Sequence, residues 1–274
     1  MKRIKEYISS NLRQLLEILF LFAVAIAPYF VDLQVLFKSY LDSNSLSPDN
    51  FLWYIALSFG NSVASIILCC ILLFAIRNFN HDFLMNGKNV YHDYSYCWYW
   101  VCSKILGIKK CSIVLVPIFM QFKLVINGTF EEYPLNDDEY PIVDGDPDCS
   151  VEIINNDIGG NEINLILEDT YPLECKQLPK SKQDLFTVKV SRNDGTTNGR
   201  HFSQKFIETT INEIRKLKPS KTINVYATTN PKNTMHIAKR VFAQGNRGNI
   251  KHLYVFQQKN IGRRYFEDKG HIIY

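Results

Sequence analysis

Several signatures of common enzymes are missing from this 274-residue chain. It has neither the GxGxxG fingerprint nor the GxxxxGK[ST] phosphate loop, which argues against an ordinary dinucleotide or ATP site. Its seven cysteines include no CxxC pair, so the sequence predicts no metal centre. Glu208, His201 and Cys175 show no spacing that favours a hydrolase. We therefore expect no catalytic residues and no cofactor, with nucleotide degradation as the remaining enzymatic alternative.

Basic residues are absent from a long central segment, Asn127–Cys175, which carries 14 Asp and Glu but no Lys or Arg. The remainder, Lys176–Tyr274, carries 20 Lys and Arg against six Asp and Glu. Such a basic segment favours a polyanionic partner, for example a nucleotide. Alternatively, the acidic and basic segments fold against each other and partly cancel. We expect no nucleic acid polymer as a partner.

Charge is also missing from Phe51–Ile76, an apolar run of 26 residues that Arg77 closes. An earlier apolar run covers Leu15–Val31. A membrane-spanning helix needs about 20 apolar residues, so both runs predict transmembrane helices. Lys and Arg precede the first helix and follow the second, whereas the loop between them has a single Lys. The positive-inside rule then places both termini in the cytoplasm of a multi-pass protein of the cell inner membrane.

Small and hydroxyl residues interrupt the second predicted helix. Ser58, Ser62 and Ser65 share one helical face, and Asn61 lies beside them. Small residues let helices approach closely, and a polar group inside a membrane needs a partner. This face either packs against the first helix of the same chain or mediates self-association between chains, which would make the protein a homo-oligomer on activation.

The sequence predicts three domains: a two-helix transmembrane segment (1–80), an interfacial or linker segment (81–111) and a cytoplasmic α/β sensor domain (112–274). Aromatic residues in Asp93–Ile108 favour a segment at headgroup level, or alternatively a buried helix of the soluble domain. Ser112–Ile126 and the acidic stretch after it predict a β-rich lead-in, with a further short strand at Ile163–Leu167.

The last 90 residues predict a Rossmann-like βαβαβ unit. Strands are expected at Leu185–Val190, Thr222–Ala227 and Ile250–Phe256. An amphipathic helix, Phe202–Leu217, separates the first two strands, and a helix over about 232–244 separates the last two. This alternation requires parallel strands joined by right-handed crossovers.

Ligands of parallel sheets bind outside the carboxyl ends of the strands, next to helix N-termini. Here these ends are polar and carry cations suited to phosphate, together with Asn and Thr suited to base or ribose. Alternatively, one or two of the Thr and Asn residues only cap helices. The candidate ligand-binding residues are Arg192, Asn193, Thr196, Thr197, Arg200, Thr229, Asn230, Lys232, Asn233, Thr234, Lys259, Arg263 and Arg264.

Four stretches resemble the SAVED domains of bacterial antiphage systems, which are related to the CARF domains of CRISPR effectors. They are NLILEDTYPL, FSQKFIETTINEIRKL, INVYATTNPKNTMHIAKRV and KHLYVFQQKNIGRRYF, and the resemblance extends over about Ile163–Phe266. The resemblance rests on the turn Ala227–Pro231 and on Tyr254 in the next strand, which is directed towards Tyr265.

The resemblance implies a sensor of a cyclic oligonucleotide or related nucleotide second messenger, with Tyr265 at the ligand. The fused helices would then be the effector, which assembles in the lipid bilayer and disrupts it. A membrane-anchored adaptor that binds a protein partner through its charged segments is the alternative.

Overall fold

The structure, a computed structural model, describes residues 2–30, 60–136, 138–142, 146, 148–156, 160–192, 200–217, 221–243, 250–259 and 264–274, with the backbone alone for residues 2–9 and 221. Contacts divide the chain into two compact units. The first comprises Met1–Lys88 and Trp100–Lys110, and the second comprises Asn89–Tyr99 and Cys111–Tyr274.

Two long helices dominate the first unit, α1 (Lys2–Phe30) and α2 (Asn61–Asn80). Ser10–Phe30 and Asn61–Asn80 are long and apolar enough to cross a membrane, and only 11% and 6% of these spans are buried. Large apolar side chains such as Phe22 and Phe74 are exposed. The two predicted apolar helices are therefore confirmed. The second continues beyond Arg77, and residues 31 and 51–59 of the predicted spans lie outside the described residues.

Polar side chains join α1 to α2 at two levels. At one level, the Arg13 Nε lies 3.0 Å from the Glu17 carboxylate. The Asn80 amide donates to the same carboxylate at 2.8 Å. At the other level, the hydroxyl oxygens of Tyr29 and Ser62 lie 2.9 Å apart and share a hydrogen bond. These contacts satisfy polar groups on otherwise apolar helices, which lowers the cost of placing them there.

The aromatic segment Asp93–Ile108 contains a short helix, α3 (Tyr96–Trp100), which continues as a π-helical turn, Val101–Ile105. In the second unit, Tyr99 is fully buried and its ring packs edge-on against Phe130. Trp100, by contrast, is 45% exposed. Tyr99 therefore has the burial expected of a helix in the soluble domain, whereas Trp100 remains exposed. Two-residue strands lie on either side of it, β1 (Leu84–Met85) and β2 (Lys110–Cys111).

The prediction of β-structure over Ser112–Ile126 is wrong for its second half, which forms helix α4 (Ile118–Ile126). Pro117 stands at the N-cap with extended dihedral angles, a position that proline tolerates because the first helical amides need no internal partner. A short apolar run cannot be assigned to a helix or a strand by periodicity alone. Burial of Phe122 and Leu124 in the core decides in favour of the helix.

A mixed six-stranded sheet forms the centre of the second unit. Its order is β3-β5-β4-β6-β7-β8, in which β4 to β7 are mutually parallel and the two edge strands, β3 and β8, pair antiparallel. The strands are β3 (Cys149–Ile154), β4 (Glu162–Glu168), β5 (Thr187–Arg192), β6 (Lys221–Ala227), β7 (Ile250–Phe256) and β8 (His271–Ile272).

The predicted alternation of strands and helices is confirmed, with α5 (Gln204–Lys216) and α6 (Pro231–Ile237), the latter continuing as a π-helical turn, Ala238–Ala243. However, β4 lies between β5 and β6, so α5 passes over an intervening strand. The described fold is a mixed α/β sheet, and the Rossmann-like assignment stays a prediction.

Each face of the sheet has its own cover. Residues of α4, α5 and α6 pack with one face in a single core that includes Leu165, Val225 and Val255. The opposite face presents Ile166, Tyr226 and Phe256 to the connection between β4 and β5, which contributes Leu173 and Leu178, and to Phe266. Because both faces are covered, the parallel strands β4, β6 and β7 are mainly apolar at their centres.

Candidate ligand-binding site

The predicted strand-end residues come together because β4, β5, β6 and β7 run parallel. Their carboxyl ends therefore meet at one edge of the sheet, which we call the carboxyl edge. It is formed by Asp169–Tyr171 after β4, Arg192 and residues 200–202 at the end of β5, Thr228–Asn230 after β6, and residues 257–259 and 264–266 after β7.

Asp169 is the centre of a buried polar network at this edge. Its carboxylate pairs with the Arg192 guanidinium at 3.1 Å, and both side chains are fully buried. The other carboxylate oxygen accepts the Asn230 backbone N–H at 2.9 Å and the Asn233 side-chain amide at 2.9 Å. The His201 carbonyl accepts from the side-chain amides of Asn230 and Asn233 and from the Arg192 guanidinium. The Asp169 carboxylate thus joins the chain after β4 to the end of β5 and to the start of α6, and the His201 carbonyl adds a fourth segment through the same donors.

The electrostatics of this network depend on burial. Burial raises the pKa of Asp169, while the Arg192 cation and the amide donors act in the opposite direction. A buried charge is tolerated only when it is paired and hydrogen-bonded. The network therefore joins the chain after β4, the end of β5, His201 and the turn after β6, and these described residues form a buried floor to the carboxyl edge.

Helix capping accounts for part of the predicted Asn and Thr set. Asn230 is the N-cap of α6, and its side-chain oxygen accepts the Asn233 N–H at 2.9 Å. The hydroxyl oxygens of Thr229 and Thr234 lie 2.6 Å apart. All four residues are buried. Together with Arg192, these four residues contact other protein groups. They form the floor of the carboxyl edge rather than its exposed surface.

An exposed cation and an aromatic ring lie beside this floor. The Arg264 guanidinium carbon is 4.4 Å from the centre of the Tyr171 ring. The Tyr171 hydroxyl donates to the side-chain oxygen of Gln258. Arg264 has a φ of 56°, a backbone conformation that is uncommon for residues other than glycine and often marks functional loops. This stack offers a flat cationic surface of the kind that binds phosphate or a planar ring.

Thr228 connects the stack to the buried network. Its hydroxyl bonds with the Tyr171 carbonyl at 3.1 Å and with the Asp169 N–H at 3.2 Å. The loop after β4 therefore carries a buried acid and, two residues later, a partly exposed aromatic ring. A ligand held by Tyr171 and Arg264 would rest on a loop that the network already orders.

The other described candidates lie around the same edge. Lys232 is half-buried, with its ammonium 5.3 Å from the centre of the Phe202 ring and 3.2 Å from the Tyr140 carbonyl oxygen. Arg200 is exposed. Lys259 is paired with Asp268 at 3.4 Å, and Tyr265 is 39% exposed. Asn193, Thr196, Thr197 and Arg263 lie outside the described residues.

The predicted self-association face of the membrane segment is described from Asn61 onwards, and Ser58 lies outside the described residues. The Ser62 hydroxyl bonds to Tyr29 of the same chain. The Ser65 hydroxyl donates to the Asn61 carbonyl at 3.0 Å, within α2. The Tyr29–Ser62 contact is the one expected of packing against the chain's own first helix, whereas the Ser65 bond lies within α2 and favours neither alternative. The alternative, self-association between chains, stays a prediction.

Sequence reasoning missed the central role of Asp169 and the role of Tyr171. Both lie in the segment EDTYPL, directly after the buried strand β4. An acidic residue immediately after a continuous apolar strand was the available signal, because the end of a parallel strand is where a sheet places polar groups that interact. The prediction concentrated instead on the basic segment after Lys176.

These features define a class of protein: an α/β domain with a polar, cationic sheet edge, carried on a chain with two apolar helices that indicate membrane association. The family comparison is more specific. The chain matches the SMODS- and Ubiquitin system-associated 2TM effector domain over residues 1–274 and belongs to that family. The expected pairing of a two-helix effector with a second domain is thereby confirmed. No curated protein matches the chain significantly.

Proposed function

We propose that the protein is a membrane effector that binds a cyclic nucleotide-type second messenger at the carboxyl edge, assembles with other copies, and disrupts the inner membrane. The proposal rests on one observation: a cation–aromatic pair, Arg264 and Tyr171, is held on a buried network that joins three strand ends. The match to an effector family associated with SMODS systems agrees with a signalling role.

The binding step follows from the chemistry of the edge. Arg264 and Arg200 are exposed, and guanidinium groups bind phosphate oxygens with paired, charge-assisted hydrogen bonds. The half-buried ring of Tyr171 lies beneath Arg264 and can stack with a base. The site has no catalytic role in this proposal, because binding alone can shift an equilibrium between unassembled and assembled forms.

Ligand binding drives assembly only if the assembled form binds the ligand more tightly than the unassembled form. The loops at the carboxyl edge are suited to this linkage, since they connect directly to α5 and α6. Two copies that share or enclose the ligand would bring their membrane helices together. The assembled helices would then perturb the bilayer.

A ligand screen tests the proposal. The purified full-length chain in detergent is mixed with cyclic dinucleotides, cyclic trinucleotides and cyclic ADP-ribose isomers, and its unfolding temperature is measured. A ligand at about 100 times its Kd stabilises the folded protein by about 2.7 kcal/mol, which gives a clear upward shift. No shift with any of these compounds would count against the nucleotide-sensing function.

Substitutions then locate the site. Arg264→Ala and Arg200→Ala each remove an exposed cation, and each should weaken binding by roughly 1.5–3 kcal/mol, or about ten-fold or more. Lys251→Ala is the matched control, because Lys251 is an exposed cation on β7, away from its carboxyl end. Equal affinity for the wild type and both arginine variants would place the ligand elsewhere.

A further inference from the structure

The C-terminal end of α2 carries an arginine that the protein uses on only one side. Arg77 lies in the last turn of this 20-residue apolar helix and is exposed. Its Nη1 donates to the backbone carbonyl of Lys104 at 2.7 Å and lies 3.5 Å from that of Ile105. Both carbonyls belong to the end of the π-helical turn, Val101–Ile105, where a helix lacks internal partners for its carbonyls. Arg77 therefore fastens this turn to α2.

The other side of the Arg77 guanidinium is available to a ligand. In arginine, the Nε–H and one Nη2–H point the same way and form a fork that fits two oxygens of a phosphate. Neither of these nitrogens has an acceptor among the described residues, and Arg77 forms no ion pair with any of them. By contrast, Arg13 and Lys110 of the same unit pair with Glu17 and Asp82. Arg77 is thus a cation whose charge the described protein does not neutralise.

Packing holds the stem of Arg77 in place. Gly107 follows the π-helical turn with a φ of 74°, and a Cβ added to it would lie 2.7 Å from the Arg77 Cγ. Only glycine allows such a close approach in this conformation. About one turn further along α2, the buried Asn80 side chain donates to the Leu106 carbonyl at 3.0 Å. A side chain fixed in this way loses little conformational entropy when it binds a ligand.

The surroundings of Arg77 combine aromatic, apolar and basic side chains. Trp100 is 45% exposed, Ile105 is 37% exposed, and Lys104 is also exposed. Residues four and five apart share a face of a π-helix, so these three lie on one side of the turn. Phe79, two residues after Arg77, is 74% exposed. Tryptophan with Lys and Arg at the end of an apolar helix is the composition typical of a membrane–water interface.

We propose that Arg77 binds the phosphate of an anionic phospholipid, with Nε–H and Nη2–H each donating to one phosphate oxygen. Trp100 and Ile105 contact the lipid beside its headgroup. The occupant is a lipid because α2 is long and apolar enough to cross a membrane, in a chain of a 2TM effector family, and Arg77 lies at its end. An anionic lipid is favoured over phosphatidylcholine, whose own ammonium group already neutralises its phosphate. The site does not require nucleotide.

A lipid titration tests the proposal. The full-length chain in a non-ionic detergent is titrated with dioleoylphosphatidylglycerol, and the rise in its unfolding temperature gives an apparent dissociation constant. Dioleoylphosphatidylcholine forms the second arm of the experiment and inorganic phosphate the third. We expect phosphatidylglycerol to stabilise the chain most. Inorganic phosphate at the same concentration should have no effect, because it lacks the apolar contacts of a lipid.

Variants of Arg77 then locate the lipid. Arg77→Gln removes the charge and should raise the apparent dissociation constant for phosphatidylglycerol roughly ten-fold or more. Arg77→Lys keeps the charge but cannot form two parallel hydrogen bonds, so it should also weaken binding. Each variant is compared with and without lipid, which separates lipid binding from any loss of basal stability. Lys110→Gln is the matched control, because this cation is already paired with Asp82, and it should bind as the wild type does.

Wild-type affinity in Arg77→Gln would overturn the proposal, and so would equal stabilisation by the two lipids or by inorganic phosphate. Wild-type affinity in Arg77→Lys would overturn it as well, since a point charge would then suffice. If the Arg77 variants do not fold, Trp100→Ala replaces them. It leaves the bonds of Arg77 in place and should weaken lipid binding several-fold, so unchanged affinity would again refute the site. No arm contains nucleotide, so a failure here leaves the proposed sensing function standing.

Discussion

At the residue scale, Asp169 is the side chain on which most of the carboxyl edge depends. It contacts Arg192 at the end of β5, and Asn230 and Asn233 at the start of α6, so it joins both segments to the chain after β4. Removing one partner of a buried ion pair leaves an uncompensated charge, which is much more costly than losing an exposed pair. The order of the candidate site should therefore depend on this carboxylate even if the ligand never touches it.

Asp169→Asn should accordingly destabilise the protein by about 3–5 kcal/mol. The measurement is the unfolding temperature of the full-length chain in detergent. Asp268→Asn serves as the control, because its carboxylate pairs with Lys259 while 86% exposed and should contribute under about 1 kcal/mol. Similar unfolding temperatures for the two variants would mean that Asp169 does not hold the edge together.

His236 gives the domain a predictable pH dependence. Burial lowers the pKa of His236, and the nearby cations Arg240, Lys232 and Lys239 lower it further. A histidine with a lowered folded-state pKa binds fewer protons when folded than when unfolded, so stability falls as the pH drops below the unfolded value of about 6.5. Between pH 8 and pH 5, the unfolding temperature should fall less in His236→Gln than in the wild type. Parallel curves for the two proteins would contradict this assignment.

At the scale of elements, strands were predictable and α4 was not. Ile163–Leu167 and Ile250–Phe256 are apolar runs bounded by polar residues, and they form β4 and β7. IFMQFKLVI is also a mainly apolar run but forms a helix, because its packing in the core, and not its local pattern, decides its conformation. The position of β4 between β5 and β6 could likewise not be predicted, because a sequence gives the order of strands along the chain and not across the sheet.

The candidate site shows the same limit. The sequence predicted which strand ends carry polar residues, and the parallel sheet brings them to one edge. It did not predict which of them would be buried. Arg192 and Arg264 look equivalent in the sequence, yet Arg192 is fully buried against Asp169 while Arg264 is exposed over Tyr171. Burial depends on neighbours that are distant along the chain, which composition and spacing do not encode.

The contact between α1 and α2 allows a test of the membrane hairpin at the scale of its helices. Tyr29→Phe and Ser62→Ala each remove one partner of the same hydrogen bond. In a double-mutant cycle, the two effects on unfolding in detergent should therefore be non-additive, with a coupling of about 0.6 kcal/mol. Strictly additive effects would show that the Ser62 hydroxyl has its main partner elsewhere, as self-association between chains requires.

At the scale of the whole molecule, the distribution of Lys and Arg predicts the orientation in the membrane. Both termini and the α/β domain should be cytoplasmic, with the short loop between the helices outside. A membrane-impermeant thiol reagent applied to intact cells should label a chain with Ser45→Cys, in the predicted outer loop, but not one with Ser181→Cys. Ser45 lies outside the described residues, whereas Ser181 is exposed in the α/β domain. Background labelling of native cysteines is measured on the unmodified chain, and the reverse pattern would refute the orientation.

In the proposed function, disruption of the membrane depends on whether α2 of one chain contacts α2 of other chains. Ser62→Leu and Asn61→Leu keep the helix apolar, so membrane insertion should be preserved, while each removes a small or polar group that close helix packing requires. Cells that carry the wild type and its activating signal should lose membrane potential, measured with a voltage-sensitive dye, and cells with either variant should retain it. The purified variants should still bind the ligand, because the carboxyl edge is unchanged, but with an affinity lowered by the amount that assembly contributes to binding. Tyr29→Phe distinguishes packing within the chain from self-association between chains. It removes the Ser62 hydrogen bond within the chain but leaves the small residues of α2 in place, so cells with this variant should still depolarise. Full depolarisation by both leucine variants would mean that the helices only anchor the protein, and the membrane-anchored adaptor would then be the better description of its function.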